Sequence, residues 1–149
     1  STVQCHISDT RRASVFGTPG VDIDWRNQNT FFLKTGEAKT YIGKYRGVNR
    51  IPLLKLSEMY LIAAEASGDK GYLQTLRDHR GYVNYPLEEN CDLAAEIEAE
   101  YRKEFMAEGQ LFYYYKRLDY NTLPDMGVVM TGNYVFPMPD DEMEFGDIK

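Results

Sequence analysis

The sequence predicts a mainly α domain of stacked helical hairpins, carrying irregular loops and one short β-hairpin. Three observations lead there. Apolar residues recur at helical spacing across 51–118. The helix-like segments fall into two pairs, beginning near Leu56 and Cys91. Glycine, proline, asparagine and threonine crowd into the first third of the chain instead, as they do in loops and short strands.

Residues 1–50 read as a loop-rich segment, punctuated by Gly17, Pro19, Gly20, Gly36, Gly43 and Gly47. Within it, Thr30–Leu33 and Thr40–Tyr45 alternate as short strands do. Residues 51–119 read as helical. Leu53, Leu56, Met59, Tyr60, Ala63 and Ala66 outline the inner face of a first helix, Leu54–Ser67, which Gly68 is placed to end. A second helix, Asp69–Val83, turns Tyr72, Leu73, Leu76 and Val83 inward. Asn90 is placed to cap a third, Cys91–Glu108, on which Leu93, Ile97, Tyr101 and Phe105 repeat every fourth residue. A fourth, Gln110–Leu118, is rich in aromatics. The two pairs lie about 35 residues apart, near the 34-residue period of tetratricopeptide-type hairpins. Leu56, Met59, Tyr60, Ala63, Leu73, Leu76, Leu93, Ile97, Tyr101 and Phe105 are the expected core. In residues 120–149, Val128–Met130 and Tyr134–Phe136 flank Thr131-Gly132-Asn133 as a short hairpin, and Asp140–Glu144 suits one helical turn.

Composition narrows the function. A chain of 149 residues with 43% apolar and 27% charged residues has the means to fold as one domain. Its net charge of −6 and pI near 4.9 argue against nucleic acid as a partner, since phosphate neutralisation needs clustered lysine and arginine. No apolar run approaches the roughly 20 residues of a membrane-spanning helix. Ser1–Gln4 is neither charged nor apolar, so any targeting segment is expected upstream of Ser1. Cys5 and Cys91 lack the spacing of a metal site and read as two free, separately buried thiols, with pairing in an oxidising compartment left open.

Catalytic signatures are not expected either. Gly36 to Gly43-Lys44 has the wrong spacing for a phosphate-binding loop. Asp22 and Asp24 hint at a calcium loop, but Arg26 and Asn27 stand where a ligand and a glycine are needed, so a solvated loop is expected. His6 and His79 are isolated. Glu104 and Glu108, one turn apart near Tyr101 and Lys116, form the most enzyme-like group, and pairing with Lys103, Arg102 or Arg117 is the expected reading. No catalytic residue, metal or cofactor is therefore assigned.

A binding role has better material: 12 Tyr, 7 Phe and a single Trp. Aromatic planes stack on the C–H faces of sugar rings, and polar neighbours bond the hydroxyls. Trp25, Phe31, Phe32 and Tyr41, with Tyr45, lie near Arg26, Asn27, Gln28 and Asn29 in the loop-rich third. The first four are the candidate ligand residues. The competing reading has Trp25, Phe31 and Phe32 pinning the loop onto the helices.

Four segments in order carry a family resemblance. They are 51–66 (IPLLKLSEMYLIAAEA), 76–81 (LRDHRG), 96–110 (EIEAEYRKEFMAEGQ) and 134–142 (YVFPMPDDE), with Asp9-Thr10-Arg11-Arg12 matching a short element upstream. Together they resemble the C-terminal part of the SusD/RagB family of outer-membrane lipoproteins. One departure is Leu111, where an arginine is usual. The resemblance implies a tetratricopeptide-like helical protein without catalytic activity, anchored upstream of this chain by a lipid on the extracellular face of the outer membrane. It also implies a SusC-type TonB-dependent transporter as partner, and an oligosaccharide or other nutrient as cargo. The alternative is a helical interaction module with no small-molecule ligand.

Overall fold

A computed structural model describes residues 5–124, 127–130, 132, 134 and 135. The order of elements is β1 (His6–Ile7), α1 (Asp9–Phe16), α2 (Gly20–Ile23), α3 (Trp25–Asn29), β2 (Phe31–Leu33), β3 (Thr40–Ile42), α4 (Leu56–Ser67), α5 (Lys70–Asp78), α6 (Leu93–Glu104) and α7 (Gln110–Arg117). The described residues are largely helical, with one small antiparallel sheet among them in the order β1-β3-β2. It divides into two compact units, Ser1–Glu108 and Gly109–Lys149.

The helices start where a side chain can satisfy free backbone N–H groups. The Ser8 hydroxyl accepts from Arg11 N at 3.2 Å, and Asp69 accepts from Gly71 N at 2.7 Å. Asp92, rather than the expected Asn90, caps α6, accepting from Ala94 N and Ala95 N at 3.1 and 3.2 Å. A carboxylate here also meets the positive end of the helix dipole. Gly68 closes α4 in the left-handed conformation, as its position predicts. The expected helices are all present but shorter, and the second ends at Asp78 instead of Val83.

The first third is more ordered than its composition suggests. Three short helices, α1 to α3, occupy much of the segment read as loop, and the two expected strands are joined by β1. Register pairs His6 with Tyr41 and Tyr41 with Phe32, so these three side chains share one face of the sheet. Phe31 pairs with Ile42 and belongs to the other face.

In this unit α4 packs on both α5 and α6, and α1 lies against α6. The core holds Phe16, Leu61, Ala64, Leu73, Leu76, Tyr82, Ile97, Tyr101 and Phe105. Ile97 is 2% exposed, and the Tyr101 and Phe105 rings meet at 5.4 Å, as the fourfold spacing predicts. The inner face of α4 differs from expectation. Ser57, Leu61 and Ala64 are buried, whereas Leu56 is 73% exposed and Met59 is exposed too. Apolar residues surround almost the whole circumference of α4, so periodicity could not select a face. The small side chains of Ser57 and Ala64 face inward where two neighbouring helices converge. Outside lie Leu53, Leu54, Leu56, Met59 and Ile62, an apolar stripe open to solvent.

In the second unit, aromatic side chains meet one another: Tyr115 with Tyr120 at 5.0 Å and Phe112 with Tyr134 at 5.6 Å. The Tyr134 hydroxyl donates to Tyr120 O, and Lys116 donates to Tyr134 O. Val129 bridges back to Thr122. The hairpin expected between Val128–Met130 and Tyr134–Phe136, like the turn at Asp140–Glu144, involves residues outside those described. Cys5 and Cys91 are free; Cys5 is exposed, contrary to the buried thiol expected.

Candidate binding site

The first-third segment is tied to the helices by charge. Asp24 begins α3: its carboxylate accepts from Arg26 N at 2.8 Å. It is wholly buried, so the solvated loop expected around Asp22 and Asp24 is not what forms. The Arg26 guanidinium folds back on Asp24 with bonds of 3.0 and 2.7 Å. It also reaches Glu100 at 2.7 Å and Glu104 at 3.1 Å, both on α6. Arg80 grips Glu104 with bonds of 3.1 and 3.2 Å, and the Ser57 hydroxyl donates to it at 2.9 Å. Lys103 closes the group on Glu100 at 2.9 Å. Three carboxylates thus face three cations, and the buried knot balances its own charge.

Balance is what makes such burial tolerable, since an unpaired buried charge is costly. Burial alone would raise the Glu104 carboxyl; bonds and attraction from Arg80, then Arg26 and Ser57, outweigh it and hold it at about 2. Burial likewise opposes ionised Glu100, and Arg26 and Lys103 keep it below the usual carboxylate range. Burial would lower Arg26, yet Glu100 and Asp24 drive it well above its ordinary value. Burial, with Asp24 and Glu100, pushes the nearby Tyr82 phenol up. Glu104 thus pairs with Arg26 and Arg80, and Lys103, one of the partners expected for it, bonds Glu100 instead. Glu108 pairs with Lys44 and Lys55.

Trp25 sits between the two anchored residues Asp24 and Arg26. Its backbone N–H donates to Arg80 O at 3.0 Å. Its indole lies over Gly81: a Cβ there would come within 3.2 Å of the ring and collide with Ile23 O. Gly81 also has φ of +109°, a region that disfavours other residues, so glycine is doubly required. Trp25 is nonetheless 57% exposed. A fixed backbone thus presents an open aromatic surface.

The other three candidates separate. Phe31 packs edge-on against Phe16 at 5.9 Å, beneath the Arg12 guanidinium. Phe32 stacks on Tyr41 at 5.7 Å. Tyr41 is only 7% exposed, its hydroxyl donates to Glu37, and Lys34 lies over its ring. Its ring is thus occupied by packing, bonded at the hydroxyl and capped by a cation. No ring contact joins Trp25 to Phe31, Phe32 or Tyr41 among the described residues. The polar neighbours are occupied in part too. Asn27, Gln28 and Asn29 donate to Val21 O, Asp22 O and Trp25 O, which stabilises the short helices. Arg26 is buried in the knot.

Two clefts flank β2. One, of about 580 Å³, is lined by Asp9, Arg12, Asn27, Gln28, Phe31, Phe32, Leu33 and Thr40. The Asn27 side-chain oxygen is buried without a hydrogen-bond partner, while its amide donates to Val21 O. The other, of about 420 Å³, is lined by Phe32, Lys34, Lys44, Tyr45, Arg46 and their neighbours. The knot was hidden in the sequence because its charges lie 74 and 78 positions apart. A faint signal was present: α6 carries charge at 100 and 102–104, more than one solvent face of a helix needs.

Among the described residues, no group of three or more His, Cys, Asp or Glu side chains could hold a metal ion. No described helix is long and apolar enough to cross a membrane. Comparison with known protein families, with curated proteins and with solved structures finds no match for this chain.

Proposed function

We propose that the chain is a non-catalytic nutrient-binding module of the SusD/RagB kind, taking an oligosaccharide and working beside a SusC-type transporter at the outer membrane. The observation that carries the reading is the convergence of three resembling segments on one buried knot. Ser57 comes from 51–66, Arg80 from 76–81, and Glu100, Lys103 and Glu104 from 96–110. The knot holds Trp25 open to solvent beside it, which suits a stacking platform on a rigid support. The non-catalytic part of the proposal is supported by the state of the most enzyme-like carboxylates. Glu104 is held ionised by two arginines, and Glu108 is shared by two lysines, so each is occupied by partners.

A glycan array followed by calorimetry tests this. A matching oligosaccharide should bind, and Trp25→Ala should weaken it about ten- to a hundredfold, on the scale of one aromatic stacking contact. Its melting temperature should stay near wild type. Normal glycan binding by a folded Trp25→Ala protein would return Trp25 to a packing role.

The second reading, a pure interaction module, draws on the apolar stripe of Leu53, Leu54, Leu56, Met59 and Ile62. Co-purification of a membrane transporter that Met59→Asp abolishes, with no glycan bound by either protein, would favour it.

A further inference from the structure

The smaller cleft beside β2 carries more positive charge than an acidic chain would suggest. Its lining includes Lys34, Lys44 and Arg46 and no acidic side chain, in a chain of net charge −6. The Arg46 guanidinium lies 4.4 Å from the centre of the Phe32 ring. Phe32 stacks on Tyr41, and the Lys34 ammonium stands 4.6 Å from the Tyr41 ring centre. Each ring of this pair thus carries a cation. The aromatic surface expected to meet the C–H face of a sugar instead holds two positive groups in place. Gly43 fixes the arrangement from below, because a Cβ there would meet Phe32 carbons at 2.7 and 2.9 Å.

The opposing charges do not cancel this field. Lys34 has Glu37 at 3.9 Å, while Lys44 and Lys55 share the single carboxylate of Glu108. Arg46 is exposed and forms no ion pair among the described residues. Lys34, Lys44, Lys55 and Arg46 thus face Glu37 and Glu108, with Glu104 also attracting Lys44. Burial, aided by Lys55, lowers the Lys44 ammonium in spite of Glu108. A further anion would relieve that. The planar fork of an arginine, backed by an aromatic ring, suits carboxylate or sulfate oxygens.

We propose that this cleft receives an anionic group of the cargo, so that the ligand is an acidic oligosaccharide bearing carboxylate or sulfate. The proposal rests on the nutrient-binding reading above and narrows its substrate class. Calorimetry with trigalacturonate, a sulfated trisaccharide and neutral galactotriose, each at low and high salt, tests it. At least one acidic sugar should bind ten times or more tighter than the neutral one at low salt, with the gap shrinking as salt screens it. The tighter of the two acidic ligands identifies carboxylate or sulfate as the recognised group. Arg46→Gln and Lys34→Gln should each weaken acidic binding several-fold and leave neutral binding and melting temperature unchanged. If Arg46→Gln lowers the melting temperature, Lys34→Gln decides. Equal affinity for acidic and neutral sugars, unmoved by either variant, overturns the inference and leaves nutrient binding standing. Absence of binding by all three sugars, with the glycan array also blank, removes both.

Discussion

Helix α6 buries two opposite kinds of surface, and the molecule depends on them in different ways. Ile97 and Tyr101, with Phe105 at the end of the helix, bury apolar surface, a contact that is non-directional and tolerant of similar shapes. Glu100, Lys103 and Glu104 bury charge, which is tolerable only while every partner is present and aligned. The apolar face supplies stability by area. The charged face supplies position, because its bonds fix where Asp24, Trp25 and Arg26 sit. The proposed ligand platform would depend on that second property.

Removing one partner should separate the two most sharply. Arg26→Met leaves Asp24, Glu100 and Glu104 buried with only Arg80 and Lys103 to answer them. A loss of about 3–5 kcal/mol is expected, the scale for breaking a buried ion pair. Denaturant unfolding of the pure variant measures it. Such a loss is comparable to the whole stability of many small domains. On the apolar side, Phe105→Ala or Tyr101→Ala should cost about 3–5 kcal/mol. Phe105→Leu should cost far less, because shape can be partly replaced there. If Arg26→Met is as mild as Phe105→Leu, the charged face is not what positions the segment.

Acid should act on one face only. The folded-state value of Glu104, about 2, lies below its ordinary 4.5. Its contribution is therefore complete above about pH 4.5 and is lost as pH falls towards 2, a change of about 3 kcal/mol. Glu100, also lowered, adds to the loss in the same direction. Urea midpoints from pH 7 down to 3 should fall steeply in the wild type and more shallowly in Glu104→Gln. Parallel curves would place the acid sensitivity elsewhere.

The third contrast lies within α4. Leu61→Ala should cost about 2–5 kcal/mol as a core truncation. Leu56→Ala, on the exposed stripe, should stay within about 0.5 kcal/mol. Equal effects would mean that the stripe is covered in solution.

These contrasts also explain what could be read without a structure. The helices at Leu56, Lys70, Leu93 and Gln110 were legible because each repeats apolar residues at its own local spacing. On α6 the repeat also selected the buried face correctly, since Ile97, Tyr101 and Phe105 form a narrow stripe. On α4 it did not, because Leu53 through Ala66 is apolar nearly all round. The helices α1 to α3 escaped notice for another reason: they are short, and side-chain bonds such as Asn27 to Val21 O hold them instead of an apolar repeat. Of the candidate site, local sequence left open whether Trp25 faces solvent or pins the loop, and its exposure comes from the fold. The burial of Tyr41 and the partners of Arg26 depended on pairing between distant segments, which no local pattern encodes.

In the proposed role, the charged knot holds Trp25 out for a ligand. As the only tryptophan, it reports on this directly through its own fluorescence. In the free protein its emission should be that of a solvent-exposed indole. Titration with an oligosaccharide that calorimetry shows to bind should shift emission to the blue, saturating at the concentration that calorimetry gives. An emission spectrum that stays fixed while calorimetry records binding would contradict the claim, and would assign the ligand to a surface that Trp25 does not touch.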